Sequence, residues 1–391
     1  MKKFTIVAAT LIGLATAIQA ADNLTLSFFQ SYTDNLFQTS FPEKDGISNL
    51  AFSFDKSFAP FSFFTEGRYS HLNNNTNIGS YAQNAGIDYL RPVNEKTAFY
   101  LSARLGGVLY RSDFSDFNFF HFAAVGAVKS YLTPQSILNV NAVLEFRNTR
   151  DPLFDYLSST AAVTIDRYFD SRTTLKGEAQ WGFKYFLHPF QAQASTVQTS
   201  FASAGGGQGP GGGRMGWRSG FISPQTDGRG QGIQIASLSG LVAQGIGDHF
   251  GLRVSALRQW TLSGENPFVS IEEFYMVENP SYDVFSWNGF GISGLATVLI
   301  PWNMQLKIGY TSSSKKFPGI EAMDLDGRML SPLRRDTRKQ WDARLEKNFP
   351  VLNVFVGFSH VDNRSNDLLF NWKGLFLTAG IDWTFNWGGK T

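Results

Sequence analysis

Period-two alternation over long stretches is the feature that most limits the folds open to this chain. From Leu175 to Tyr185, Leu175, Ala179, Trp181, Phe183 and Tyr185 fall on one side of an extended backbone, and Lys176, Glu178, Gln180 and Lys184 on the other. A helix would scatter them around its circumference. Leu138, Val140, Ala142, Leu144 and Phe146 alternate in the same way with Asn139, Asn141, Glu145 and Arg147, Val143 being the one lapse on the polar side. Met304, Leu306, Ile308 and Tyr310 alternate with Gln305, Lys307, Gly309 and Thr311. The rhythm recurs over Phe99 to Tyr110, with Ser102 and Arg104 polar, and over Trp341 to Glu346, with Asp342, Arg344 and Glu346 polar. Each segment has one bulky apolar face and one face that carries charge.

Marking every such segment predicts strands near 24–38, 47–58, 61–72, 78–91, 96–112, 117–131, 136–149, 154–168, 173–188, 232–245, 249–263, 284–299, 303–315, 335–347, 352–363 and 374–386. Every second connection is tight, at Ala59-Pro60, Val93 to Glu95, Thr133 to Gln135, Asp170 to Arg172, Ile246 to Asp248, Pro301-Trp302 and Asn348 to Val351. The links between them include long ones, at 189–231, 264–283, 316–334 and 364–373. Short turns at one end and long loops at the other predict an all-β fold, a single antiparallel up-and-down transmembrane barrel of about 16 strands, with 14 to 18 admissible. Both chain ends then lie at the tight-turn end.

The first twenty residues read as an export leader: Lys2 and Lys3, an apolar run from Phe4 to Ala17, and a small-residue exit at Ala20, with cuts after Ala17 or Ala21 also open. The run is too short for a membrane anchor, which needs about 18 to 20 apolar residues. Residues 21–391 are then the barrel domain. With no cysteine there is no disulfide framework and no thiolate metal site, and no cofactor is expected. Removing Lys2 and Lys3 leaves 32 basic against 32 acidic residues, a balance that gives no support to nucleic-acid binding.

At the C-terminus, Thr378, Gly380, Trp383 and Phe385 resemble the terminal-strand signal of Gram-negative outer-membrane β-barrels: polar, any, Gly, two of any, aromatic, any, aromatic. Six residues follow Phe385, where that class commonly ends on the aromatic. The resemblance covers the class and no subfamily. It implies an exported, multi-pass outer-membrane barrel that meets the barrel-assembly machinery, membrane lipid and lipopolysaccharide. Association into a homo-oligomer is left open.

The charges on the polar strand faces are the leading functional candidates: Arg68, Arg104, Arg147, Lys176, Lys184, Arg253, Lys307 and Arg344 against Glu145, Glu178, Asp166, Asp342, Glu346, Asp382 and Glu66. At this strand number side chains alone do not fill a barrel, so they would line a wet lumen. The signs nearly cancel, which predicts little net ion preference unless a local ladder of one sign selects. The first expectation is a passive, porin-like channel for small hydrophilic solutes, without catalysis. The alternatives are a structural or partner-binding barrel with a filled lumen and, third, an outer-leaflet lipid hydrolase.

Other features carry less. Gly205 to Gly213, followed by Arg214, Trp217, Arg218 and Arg229, lacks the Gly-Lys-Ser/Thr ending of a phosphate loop. Of five histidines, His71, His188 and His360 fall near the outer rim, as a rim hydrolase would need, but Asp362 stands where a serine nucleophile would follow His360. Lys315, Lys316, Arg328, Arg334, Arg335, Arg338 and Lys339 form a basic cluster suited to lipopolysaccharide phosphates or neutralised by Glu321, Asp324, Asp326 and Asp336. The preceding link is acidic, with Glu265, Glu272, Glu273, Glu278 and Asp283. Asp151 to Tyr156 parallels Asp367 to Trp372, read as shared hairpin chemistry.

Overall fold

The computed structural model describes residues 22–38, 40–152, 155–187, 233–263, 287–325 and 328–386. The leader, the Gly-rich link, the acidic link and His188 fall outside them. The described chain forms β1 (Asn23–Thr33), β2 (Asp45–Phe58), β3 (Phe61–Leu72), β4 (Ser80–Asn94), β5 (Thr97–Tyr110), β6 (Phe119–Thr133), β7 (Ser136–Thr149), β8 (Tyr156–Tyr168), β9 (Thr173–Phe186), β10 (Ile233–Ile246), β11 (Phe250–Ser263), β12 (Trp287–Ile300), β13 (Met304–Met323), β14 (Met329–Asn348), β15 (Leu352–Ser365) and β16 (Trp372–Asn386).

Each strand pairs antiparallel with its neighbours in sequence, and β1 closes on β16 from Asn23↔Asn386 to Thr33↔Phe376. Closure removes the unpaired strand edges that an open sheet would leave. Because residues opposite each other share a face, the parity of one strand fixes the next: Ala161, Trp181, Ala236 and Trp260 form a continuous outward row across β8 to β11. On that outward face Leu50 is 58% exposed, Trp181 55% and Val356 58%. A surface this apolar is unsuited to water and suited to hydrocarbon. Aromatic rings border it. Tyr310 and Trp341, 4.4 Å apart, end the apolar row of β13 and β14 on the side away from the tight turns, and Phe61 and Tyr89, 5.1 Å apart, sit by the tight turn after β2. Gly247, at φ +60°, supplies the left-handed residue that the β10–β11 turn requires.

Several predicted boundaries differ: the first strand, expected over 24–38, ends at Thr33. The link expected over 316–334 is mostly strand, because β13 and β14 continue outward as a hairpin and leave only 324–328 between them. Pro318 and Pro332 suggest a loop, yet the register breaks between Lys316 and Glu321 and again before Met323, and a proline is tolerated at such a bulge. The last link likewise shrinks from 364–373 to 366–371, around a short 3-10 turn at Leu368–Phe370.

Asp45, at the long-loop end of β2, is 1% exposed and organises its rim. Its Oδ1 accepts from the backbone N–H of Asn73 and Asn74, and its Oδ2 from the backbone and side-chain amides of Asn75, all at 3.0 Å. Burial alone would raise this carboxyl; the donors outweigh it and hold the pKa below the ordinary carboxylate value. A depressed pKa contributes stability above the ordinary carboxylate range that is lost as pH falls through the lowered value. Asp45→Asn presents an N–H₂ to these donors and is expected to cost about 2–3 kcal/mol near neutral pH. In thermal unfolding, the gap between variant and parent should narrow in acid; a gap independent of pH would refute this account.

Candidate functional site

The register places all fourteen charges on the positions opposite in parity to the exposed apolar row: Arg68 on β3, Arg104 on β5, Glu145 and Arg147 on β7, Asp166 on β8, Lys176, Glu178 and Lys184 on β9, Arg253 on β11, Lys307 on β13, Asp342, Arg344 and Glu346 on β14, and Asp382 on β16. These positions line the inside of the closed sheet. The carboxylates there are occupied. Lys307 Nζ lies 3.2 Å from Glu346 Oε2, Arg344 Nε bonds the other oxygen of Glu346, and Lys176 Nζ lies 3.3 Å from Glu178. Asp166 is directly opposite Lys176, and Asn353 Nδ2 donates to Asp382 at 3.3 Å.

Four of the cations, Arg344 among them, also lie against rings. Arg147 is 3.6 Å from the centroid of Phe119, Lys184 3.7 Å from Tyr156, Arg344 3.8 Å from Phe355 and Arg104 5.1 Å from Phe64. Tyr156, whose hydroxyl donates to Glu145 at 2.7 Å, ties one of these rings to the acid beside it. A cation over a ring keeps its charge available to the lumen while its position is fixed. The sequence reading found the charges and missed the rings; the signal was present, since Phe64, Phe119, Tyr156 and Phe355 share the polar parity of their strands.

It also missed part of the ladder. Arg334, Asp336, Arg338, Gln340, Asp342, Arg344 and Glu346 are every second residue of β14, so all face inward. Arg334 holds Asp336 through two hydrogen bonds of 3.1 and 2.7 Å, Arg338 donates to Gln340 at 3.2 Å, and Gln340 donates to Asp342 at 2.9 Å. Arg334 lies 3.4 Å from the Phe370 ring and Arg338 5.7 Å from Trp372. Lys315, also inward, is 4.3 Å from Trp287. The basic cluster assigned to one loop is thus divided by the pleat: Lys315, Arg334 and Arg338 line the lumen, while Lys316, Arg335 and Lys339 face outward.

The repeated segment has a structural counterpart. Tyr156 and Trp372 open β8 and β16, eight strands apart around the closed ring, and each is 8% exposed on the inward face beside a cation. Of the C-terminal residues that resemble the assembly signal, Thr378 and Gly380 face inward and Trp383 and Phe385 outward. Ser359 and His360, adjacent on β15, face opposite ways, and across the sheet His360 meets Trp341 and Leu375. His71 stands opposite Ser48, whose hydroxyl instead accepts from Gln30 Nε2 at 2.7 Å. Among the described residues no three His, Asp or Glu side chains converge as a metal site would need.

No protein-family model and no curated protein matches the sequence. Solved structures do. A bacterial polysaccharide outer membrane secretin is 10% identical, with a TM-score of 0.51, over 93% of this chain and 99% of that one. The outer membrane protein OpdK of Pseudomonas aeruginosa is 12% identical, with a TM-score of 0.47, over 93% and 99%, and OccAB1 of Acinetobacter baumannii 9%, with 0.47, over 93% and 96%. This chain has the fold of an outer-membrane β-barrel. Its tight turns gather at one end of the barrel and its long links at the other. The inward charges are distributed unevenly along the barrel axis. Arg147, Lys184, Lys315, Arg334 and Arg338 lie in the half toward the long links, with only Glu145 and Asp336 as inward carboxylates on the same strands there.

Proposed function

We propose that the barrel is a passive channel for small hydrophilic solutes, with no chemistry of its own, and that it favours anions at its extracellular mouth. The observation that carries this reading is the uneven placement of the inward charges: balanced over the whole wall, they are predominantly positive in the outer half, fixed there against Phe119, Tyr156, Trp287, Phe370 and Trp372. A barrel of this strand number leaves space for water inside. Positive charge held at the mouth of a pore raises the local concentration of anions. Carboxylates lower down, paired with Lys176, Lys307 and Arg344, add little net field. The same reading includes Thr378, Gly380, Trp383 and Phe385 as the signal presented to the barrel-assembly machinery, and phosphorylated lipopolysaccharide as the lipid against the outer rim.

The test is single-channel recording of mature protein in a planar bilayer under a salt gradient. Stable conductance with a reversal potential on the anion side is expected. Conductance with cation preference overturns the charge argument, and persistent silence overturns the channel in favour of a barrel with an occluded lumen or a bound partner.

A further inference from the structure

The outward half of the divided basic cluster is not explained by transport. Above the Tyr310–Trp341 ring pair, the outer face of β13 to β16 carries Lys316, Arg335, Lys339, Arg364 and Lys373, all exposed, and two carboxylates, Asp362 and, beyond the β13 bulge opposite Leu333, Glu321. Arg364 Nε takes Asp362 at 3.0 Å. Among the described residues, Lys316, Arg335, Lys339 and Lys373 form no salt bridge. Lys316 stands directly opposite Arg335 in the register, and Lys339 and Lys373 flank Asp362 on either side. Like charges directly opposite in an antiparallel pair are destabilising. Glu321, the nearest outward carboxylate, forms no salt bridge with Lys316 or Arg335 among the described residues.

From this placement the geometry points to a docking surface for the phosphate groups of a phosphorylated outer-leaflet glycolipid. The aromatic pair marks the upper edge of the apolar band, since such rings sit at head-group level. Lys339 lies two residues beyond Trp341, and Arg335 a further four, so the cations climb from the band's edge into the head-group layer. A phosphate set between Lys316 and Arg335 turns their repulsion into a bridged contact, with Arg335 able to donate two hydrogen bonds and Lys316 one charge. The acyl chains of the same lipid would lie on the exposed row below, which includes Trp341, Phe358 and Leu377. A free phosphate ion would use the same cations and gain nothing from that row. The inference rests on the barrel standing in an outer membrane and is independent of whether it conducts.

The test uses full-length mature protein in a mild detergent, titrated with diphosphorylated lipid A, with its dephosphorylated form, with phosphatidylcholine and with inorganic phosphate, read by the rise in unfolding temperature. Only the diphosphorylated lipid is expected to raise it at low concentration, less so at high salt. Lys316→Gln with Arg335→Gln and Lys339→Gln should weaken that binding at least about tenfold. The inward set, Lys315→Gln with Arg334→Gln and Arg338→Gln, should leave it unchanged. An equal effect of inorganic phosphate, an effect of the dephosphorylated lipid as large as that of the phosphorylated one, or full binding by the outward variant overturns the proposal. Conductance of the outward variant in a bilayer, measured alongside, separates this failure from failure of the channel.

Discussion

Gly380→Val is expected to lower the stability of the folded barrel by about 3 kcal/mol, the upper end of what overpacking costs. Gly380 faces inward on β16 at the closing seam. A Cβ there would lie 2.5 Å from Phe29 Cβ, 2.7 Å from Phe355 Cζ and 2.8 Å from the backbone oxygen of Phe28. A ring can rotate aside, but a backbone oxygen in the β1–β16 ladder cannot move without breaking the pairing that closes the barrel. Gly177 is the control. It faces outward on β9 opposite Gly240, and a Cβ added there meets nothing within 4 Å. Gly177→Val should therefore fold as the parent does. The measurement is the folded fraction on refolding purified protein into lipid vesicles, followed by heat-dependent mobility on a gel. This separates two roles for the same glycine. If Gly380 served only as part of a signal read by the assembly machinery, refolding without that machinery would be unaffected; a clear loss identifies the steric role, and equal behaviour of the two variants removes it.

The same seam shows what a sequence can and cannot disclose. Strand parity was legible because one face meets hydrocarbon and tolerates only apolar side chains, so Leu175, Trp181 and Phe183 could be told from Lys176, Glu178 and Lys184 without coordinates. The tight turns were legible for a related reason: they interrupt an alternation that is otherwise continuous. Past the membrane that constraint ends. On β13 and β14 beyond Ser314 and Thr337 both faces meet polar surroundings, alternation fades, and Pro318 and Pro332 look like loop residues although the hairpin continues to Met323 and Met329. The lumen rings escaped notice because an aromatic residue is expected outside. Phe355, 1% exposed, is hidden inside because Arg344 lies over it, and that partnership crosses strands.

The division of the basic cluster by the pleat yields the second large effect. Lys315→Gln with Arg334→Gln and Arg338→Gln should reduce the anion-to-cation permeability ratio about fivefold. Each unit charge about 8 Å from a passing ion in water contributes about 0.5 kcal/mol, and screening in about 0.1 M salt reduces three such charges to roughly 1 kcal/mol. Glutamine keeps a polar side chain at each site, its amide can still donate to Asp336, which loses the paired bonds of Arg334, and the rings Trp287, Phe370 and Trp372 lose a cation; heat-dependent gel mobility of the variant checks that the wall holds its shape. Lys316→Gln with Arg335→Gln and Lys339→Gln removes the same charge from residues that neighbour the first three in sequence. Those side chains point away from the water column, with the sheet between them and the permeating ion, and their loss should shift the reversal potential little. Each variant loses three positive charges and the two have the same net charge, so any model in which selectivity follows from the protein's total charge predicts the same change for both. Reversal potentials measured on each in the same bilayer decide between that model and the inward ladder: equal shifts would remove the assigned role of β14's inner face, and a shift confined to the inward set would place the anion preference there.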